Sequence, residues 1–240
     1  MMASQGVRES LDLGTTPAII AHLRSLGSDR NRAGMSRYGI SVANAFGISV
    51  PELRRLAKLI GRDHALALDL WSTGYHEAQL LAAFVDEPAL VGAEQMERWV
   101  LDLDSWDTCD QVCTDLFDRT SFAYDKAVEW TGREEEFVKR AGFALMAGLA
   151  VHDKAAPNEV FTPFLQIVAR EADDERNFVK KAANWALRNI GKRNLALNAA
   201  AQDVAAQLKL MESRSARWIG SDALRELASE KVQARLRPKS

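Results

Sequence analysis

A chain of 240 residues, 47% hydrophobic and 27% charged, has ample apolar material for a packed globular core. No apolar run approaches the ~18 residues of a membrane span. With only two cysteines, Cys109 and Cys113, a disulfide framework is excluded and a reducing cytoplasm is the expected compartment. The net charge of −2 hides an asymmetry: residues 1–175 carry 17 Lys/Arg against 28 Asp/Glu, and residues 176–240 carry 14 against 5. Such a distribution fits either solvated helix faces or one face that attracts a polyanion.

The N-terminal stretch MMASQGVRESLDLGTTP lacks the apolar centre of a signal peptide, and residues 1–14 are expected to form a loose extension. From there nearly every segment predicts helix. MSRYGIS places Tyr38 after Arg37 on an early helix. PELRRLAKLIG sets Leu53, Leu56, Ala57 and Ile60 at helical spacing after Ser49 and Pro51, with Gly61 as the stop. HEAQLLAAFVDEP repeats the pattern through Leu80, Leu81 and Phe84 and ends at Pro88, and AEQMERWVLDL follows it. In SWDTCD, residues 105–110, Ser105 reads as an N-cap and Asp107 suits the positive first turn. Asp110 lies deeper, four residues after Trp106 and therefore on the same face. YDKAVEWTG and DALRELASEKVQARL also predict helices. Strand-like alternation is absent, so the fold class is all-α.

Internal similarity adds to this. EFVKRAGFALMAGLA (136–150) aligns with NFVKKAANWALRNIG (177–191), and SDALREL (221–227) echoes NWALRNI (184–190). Offsets of about 40 residues between helix pairs predict a HEAT or armadillo-like α-solenoid with a concave binding cleft. No linker divides the chain, so residues 1–240 are expected to form one repeat domain.

The four histidines are scattered, and Cys109 and Cys113 alone do not make a zinc site, so no metal is expected. No phosphate-binding glycine loop or nucleophile elbow is present, which argues against nucleotide hydrolysis and Ser-His-Asp chemistry. What remains is aromatic and charged: Trp106 with Asp110, Arg140 after Lys139, Trp185 among Lys181, Arg188 and further bases, and Tyr38. Each admits a plain reading. Asp110 and Arg140 would be solvated charges, and Tyr38 and Trp185 half-buried packing residues. On corresponding helices of stacked repeats, however, they would line one aromatic, basic cleft with a carboxylate. Phosphate contacts and stacking are the components of nucleic-acid binding.

These residues carry a resemblance. SWDTCD, VKRAGFAL (138–145) and FVKKAANWALRNIGKRN (178–194), extended by RYGISVANAFGISVPELRRL (37–56) and ARWIGSDALREL (216–227), resemble the AlkD-like family of HEAT-repeat DNA alkylation-repair glycosylases over about residues 30–230. The resemblance implies excision of cationic alkylpurines, such as 3-methyladenine and 7-methylguanine, from double-stranded DNA, without the nucleotide being drawn into a pocket. It implies Asp110 as the catalytic carboxylate, with Trp106, Arg140, Trp185 and Tyr38 framing the cleft. Lys139, Lys181 and Arg188 are expected as further DNA contacts. No cofactor and no membrane association are expected. The location would be cytoplasmic, nucleoid-associated when bound to DNA, and the protein a monomer. The alternative is a HEAT-repeat scaffold without catalysis that binds damaged or branched DNA, or a protein partner.

Overall fold

A computed structural model describes residues 13–237, so nearly all of the expected N-terminal extension lies outside the described residues. Within them the chain forms fourteen α-helices and two 3-10 turns, with no strand, in agreement with the all-α expectation. They pack as two compact units that divide at Ser121 and Phe122.

The first unit contains α1 (Thr16–Ser25), α2 (Asp29–Arg37), α3 (Val50–Ile60), α4 (His64–Ser72), α5 (His76–Val85), α6 (Ala93–Leu101) and α7 (Trp106–Asp115). The limits of α3 follow from its sequence. Ser49 is extended at the N-cap, a proline occupies the first turn, and Gly61 stops the helix at φ 83°. Its buried residues are Leu53, Leu56, Ala57 and Ile60, the stripe that the periodicity predicts. Asp63 opens α4 by accepting from Leu66 N at 3.0 Å. Within the unit α3 packs on α5 and α5 on α7. The core is aromatic: the Trp71 and Trp99 rings stack at 4.0 Å, and Trp99 meets Phe117 at 6.2 Å. The Trp71 indole N–H donates to Asp102 Oδ2 at 2.8 Å, so its polar edge is satisfied.

The second unit contains α8 (Ala123–Thr131), α9 (Glu136–His152), α10 (Asn158–Arg170), α11 (Asn177–Gly191), α12 (Leu195–Lys209), α13 (Arg214–Leu227) and α14 (Glu230–Leu236). The two segments that align in sequence are α9 and α11, which pack on each other, as α11 does on α13. The repeat also appears in side-chain hydrogen bonds. Arg140 to Phe178, Asn184 to Asp222 and Arg188 to Glu226 each join residues 38 apart in the chain. Glycine permits the closest approach. A Cβ on Gly220 would come within 2.4 Å of Ala205 O, so α13 lies directly on the backbone of α12.

Three expected boundaries differ. The α5 helix ends at Val85 rather than Pro88, because Pro88 starts its own 3-10 turn. DALRELASEKVQARL is not continuous: α13 ends at Leu227, and the Ser229 hydroxyl caps α14 by accepting from Val232 N. Tyr38 is the C-cap residue of α2 rather than part of the helix, since Gly39 continues the chain at φ 73°.

Candidate functional site

In the first unit the candidate residues gather at the start of α7. Its packed face is Thr108, Cys109, Val112 and Cys113, all buried. Trp106 and Asp110 lie one turn apart off that face, both half-buried. Burial pushes the Cys113 thiol well above its ordinary range, with Cys109 and the nearby carboxylates adding to the effect, so Cys113 packs as apolar sulfur.

A second segment fixes the tryptophan. The Trp106 indole Nε1–H donates to the Tyr38 carbonyl at 3.0 Å. Next to it, Ser41 N donates to Ser105 Oγ at 2.8 Å. Ser105 stands at the N-cap position as expected, but its hydroxyl makes no cap bond and accepts from Ser41 N instead. Tyr38 is 75% exposed, so its ring faces solvent while its backbone holds the indole. It borders an open groove of about 640 Å³ with Arg30 and Arg37.

The segment from Tyr38 to Ile48 is held by the start of α5. His76 N donates to Asn44 O at 3.0 Å. Glu77, 0% exposed, accepts from three consecutive backbone amides: Phe46 N at 2.8 Å, Gly47 N at 2.6 Å and Ile48 N at 3.1 Å. The amides converge because Gly47 adopts φ +85°, where a side chain would be strained and a Cβ would come within 2.3 Å of Ser28 O. A buried carboxylate is thus made tolerable by charge-assisted bonds to backbone donors.

His76, buried beside Glu77, meets α7 from the other side. Its Nε2 lies 3.0 Å from Asp107 Oδ2, and its Nδ1 lies 3.2 Å from Thr108 Oγ1. Burial opposes the charged ring, but the hydrogen bond and charge of Asp107, helped by Glu77 and Asp104, hold its pKa above the ordinary histidine value. Asp107 therefore does more than complement the first turn of α7: it is an ion-pair partner for α5. Its other oxygen, Oδ1, is buried without a hydrogen bond. Neither His76 nor Glu77 stood out in the sequence. A His-Glu pair opening an apolar helix is an ordinary N-terminal pattern, and only the packing shows both to be buried.

In the second unit Arg140 is not the solvated base of its plain reading. It is 5% exposed, and Nη1 donates to Phe178 O at 2.6 Å, which fixes the guanidinium against the N-terminus of α11. Lys139 points elsewhere, with Nζ at 2.8 Å from Glu171 and 3.2 Å from Asp174. Burial is outweighed at Asp174 by hydrogen bonds from Arg176 and Lys139, which bring its pKa down to about 2. On α11, Lys181, Trp185 and Arg188 recur at helical spacing along one side. Trp185 is half-buried and Lys181 exposed. Arg188 pairs with Glu226 and stands 3.6 Å from Asp222, while Lys192 reaches Glu226 at 2.8 Å. The structure thus brings Tyr38, Trp106 and Asp110 to one end of α7 in the first unit. Arg140 and Trp185 sit on adjacent helices of the second, and Lys139 and Arg188 are already matched with carboxylates.

Among the described residues no group of three or more His, Cys, Asp or Glu is arranged to hold a metal ion. No helix there is long and apolar enough to cross a membrane.

A protein family described as DNA alkylation repair enzyme matches residues 19–227 of the chain. Its fold is similar to a solved structure described as a new family of proteins related to the HEAT-like repeat DNA glycosylases with affinity for branched DNA structures. The TM-score is 0.78 at 20% identity, covering 92% of this chain and 96% of that one, so the repeat architecture is HEAT-like. No curated protein matches the chain.

Proposed function

Because the chain belongs to the DNA alkylation repair enzyme family, we propose that it is a monofunctional DNA glycosylase that hydrolyses the N-glycosidic bond of cationic alkylpurines in duplex DNA. The observation that carries this reading is the pair Trp106 and Asp110 on one half-buried face of α7, with the indole locked by the Tyr38 carbonyl. A carboxylate beside a fixed aromatic is a poor core pair and a good receptor for a sugar that becomes cationic.

The chemistry needs only one carboxylate. Ordinary glycoside hydrolysis employs an acid to protonate the leaving group. A purine alkylated at N3 or N7 already carries positive charge, so it takes the electron pair of the C1′–N bond and departs neutral. Asp110 stabilises the oxocarbenium-like deoxyribose left behind and orients a water. The water oxygen bonds to C1′ and its proton passes to the carboxylate, giving an abasic site and no strand break. Trp106 presents its π-face to the developing charge. Within the second unit, Arg140 is assigned to a phosphate, Trp185 to a sugar, and Lys181, exposed on the side of α11 that carries Trp185, to a further phosphate. Double-stranded DNA is the partner, and no cofactor is assigned.

Release of 3-methyladenine and 7-methylguanine from methylated duplex DNA tests the proposal. Wild type should release base at low salt, with no covalent adduct trapped by borohydride. Asp110→Asn should lose at least about a hundredfold in rate, the scale of removing one transition-state electrostatic contact. No release by wild type would sink the enzyme reading, and equal release by both proteins would remove Asp110 from it.

A second reading is favoured by the solved relative, which is described as having affinity for branched DNA structures. In that reading the same surfaces bind branched DNA without cutting the glycosidic bond. Tight binding of a four-way junction by a wild type that releases no base would select it.

A further inference from the structure

The sequence places its net positive charge after residue 175, where several bases are matched with carboxylates. Arg188 and Lys192 are held by Glu226 and Asp222, and Arg225 pairs with Asp222. The acidic half contains the opposite case. An open groove of about 510 Å³ in the first unit is lined by Arg54, Lys58, Arg62, Phe84, Asp115 and Arg119. Four cations thus face one carboxylate.

The groove is built rather than incidental. Arg54 donates to both oxygens of Asp115 at 2.8 Å and to Gln111 at 2.9 Å, and its guanidinium lies 4.4 Å over the Phe84 ring. This bidentate, stacked arrangement ties α3, α5 and α7 into a floor and uses up the one carboxylate. Arg62 is anchored through backbone carbonyls of Phe84 and Asp86, which leave its charge uncompensated. Lys58 is exposed, and Arg119 reaches only to 3.9 Å from Asp118 with its side chain 45% exposed. With Arg54 on Asp115 and Arg119 in a long ion pair with Asp118, the groove keeps a local excess of two positive charges, on Lys58 and Arg62, over a rigid base.

We infer that this groove binds the backbone phosphates of a DNA strand, beyond the lesion contacts assigned to Trp106 and Asp110. Gln111 and Asp115, which hold Arg54, and Trp106 and Asp110 are all half-buried residues off the packed face of the same helix. Asp115 lies five residues past Asp110, about 7.5 Å along the axis at 1.5 Å per residue. At 3.6 residues per turn it also lies about 140° around the helix from Asp110, so the groove opens on a different flank of α7 and is a separate phosphate contact rather than a continuation of the Asp110 site. Positive charge concentrated here also accounts for how a chain of net charge −2 can engage a polyanion.

The inference rests on the proposed function only in taking DNA as the partner, and its test separates the two. Fluorescence anisotropy with an undamaged duplex is measured from 50 to 200 mM salt for wild type and for Lys58→Glu with Arg119→Glu. A control, Arg170→Glu with Lys209→Glu, makes the same charge change at the ends of α10 and α12. The groove variant should bind about tenfold more weakly at 50 mM, and its log–log salt slope should fall by roughly 2, near 0.9 for each phosphate that the protein no longer neutralises. Its melting temperature should stay with that of wild type, since neither exposed side chain supports the core. The control should keep the wild-type slope. An unchanged slope in the groove variant, which would leave the groove to an acidic partner of another kind, overturns the inference, as does an equal loss in the control. Failure of wild type itself to bind the duplex would instead refute DNA as the partner.

Discussion

Replacing Glu77 with Gln tests how the Trp106 site is held. The substitution preserves shape and removes the charge from a carboxylate that accepts from Phe46 N, Gly47 N and Ile48 N at 2.6–3.1 Å with no exposure to water. Bonds to a charged acceptor contribute ~1.5–3 kcal/mol each and neutral ones ~1 kcal/mol. The amide oxygen of Gln can keep two of the three amides as neutral bonds. Its NH2 group then meets the third as donor against donor, leaving a buried N–H unsatisfied at a cost of ~1–3 kcal/mol. The net loss is about 3 kcal/mol. At ~2–4 °C per kcal/mol for a chain of this size, the first unit should melt roughly 6–12 °C lower. Calorimetry reads the shift, and hydrogen exchange at Phe46, Gly47 and Ile48 should show that the loss is local to this segment. A melting temperature within about 2 °C of wild type, with those amides still protected, would refute the idea that Glu77 holds the Tyr38–Ile48 segment.

Two further outcomes follow from the packing. The folded pKa of His76 is raised, so its pairing with Asp107 contributes stability that is fully present below the unfolded histidine value and is lost as pH rises through the folded one. His76→Asn should accordingly be less stable than wild type in mildly acidic buffer, with the gap narrowing toward pH 8 in parallel thermal melts; a constant gap would deny His76 its charge. Gly220→Ala places a methyl 2.4 Å from Ala205 O and 2.7 Å from Lys209 N, both backbone atoms that cannot swing aside. A loss of ~1–3 kcal/mol is expected from denaturant titration, the usual scale of overpacking.

Local rules reach about one helical turn, and what lies within that reach was legible. The stripe and stop of α3, the start of α7 at Ser105, and the shared face of Trp106 and Asp110 all follow from spacings of four residues or fewer. The repeat of α9 in α11 was legible for a related reason, since helices that pack against equivalent neighbours keep equivalent apolar faces. Tyr38 marks where that reach ends: whether the helix includes it or stops just before it depends on a segment tied down by Glu77, 31 residues beyond Phe46.

Charge was least legible of all. The linear sequence puts the positive potential after residue 175, whereas folding matches Lys139 with Glu171 and Arg188 with Glu226, and leaves Lys58, Arg62 and Arg119 clustered in the acidic half. Composition counts charges, but an ion pair forms between side chains 32 or 38 positions apart that meet only when helices stack. Residue types and helical faces were therefore fixed along the chain. Tertiary packing decided which polar groups are buried, which are paired and which face solvent, because desolvation and Coulomb energy depend on distance in space rather than in sequence.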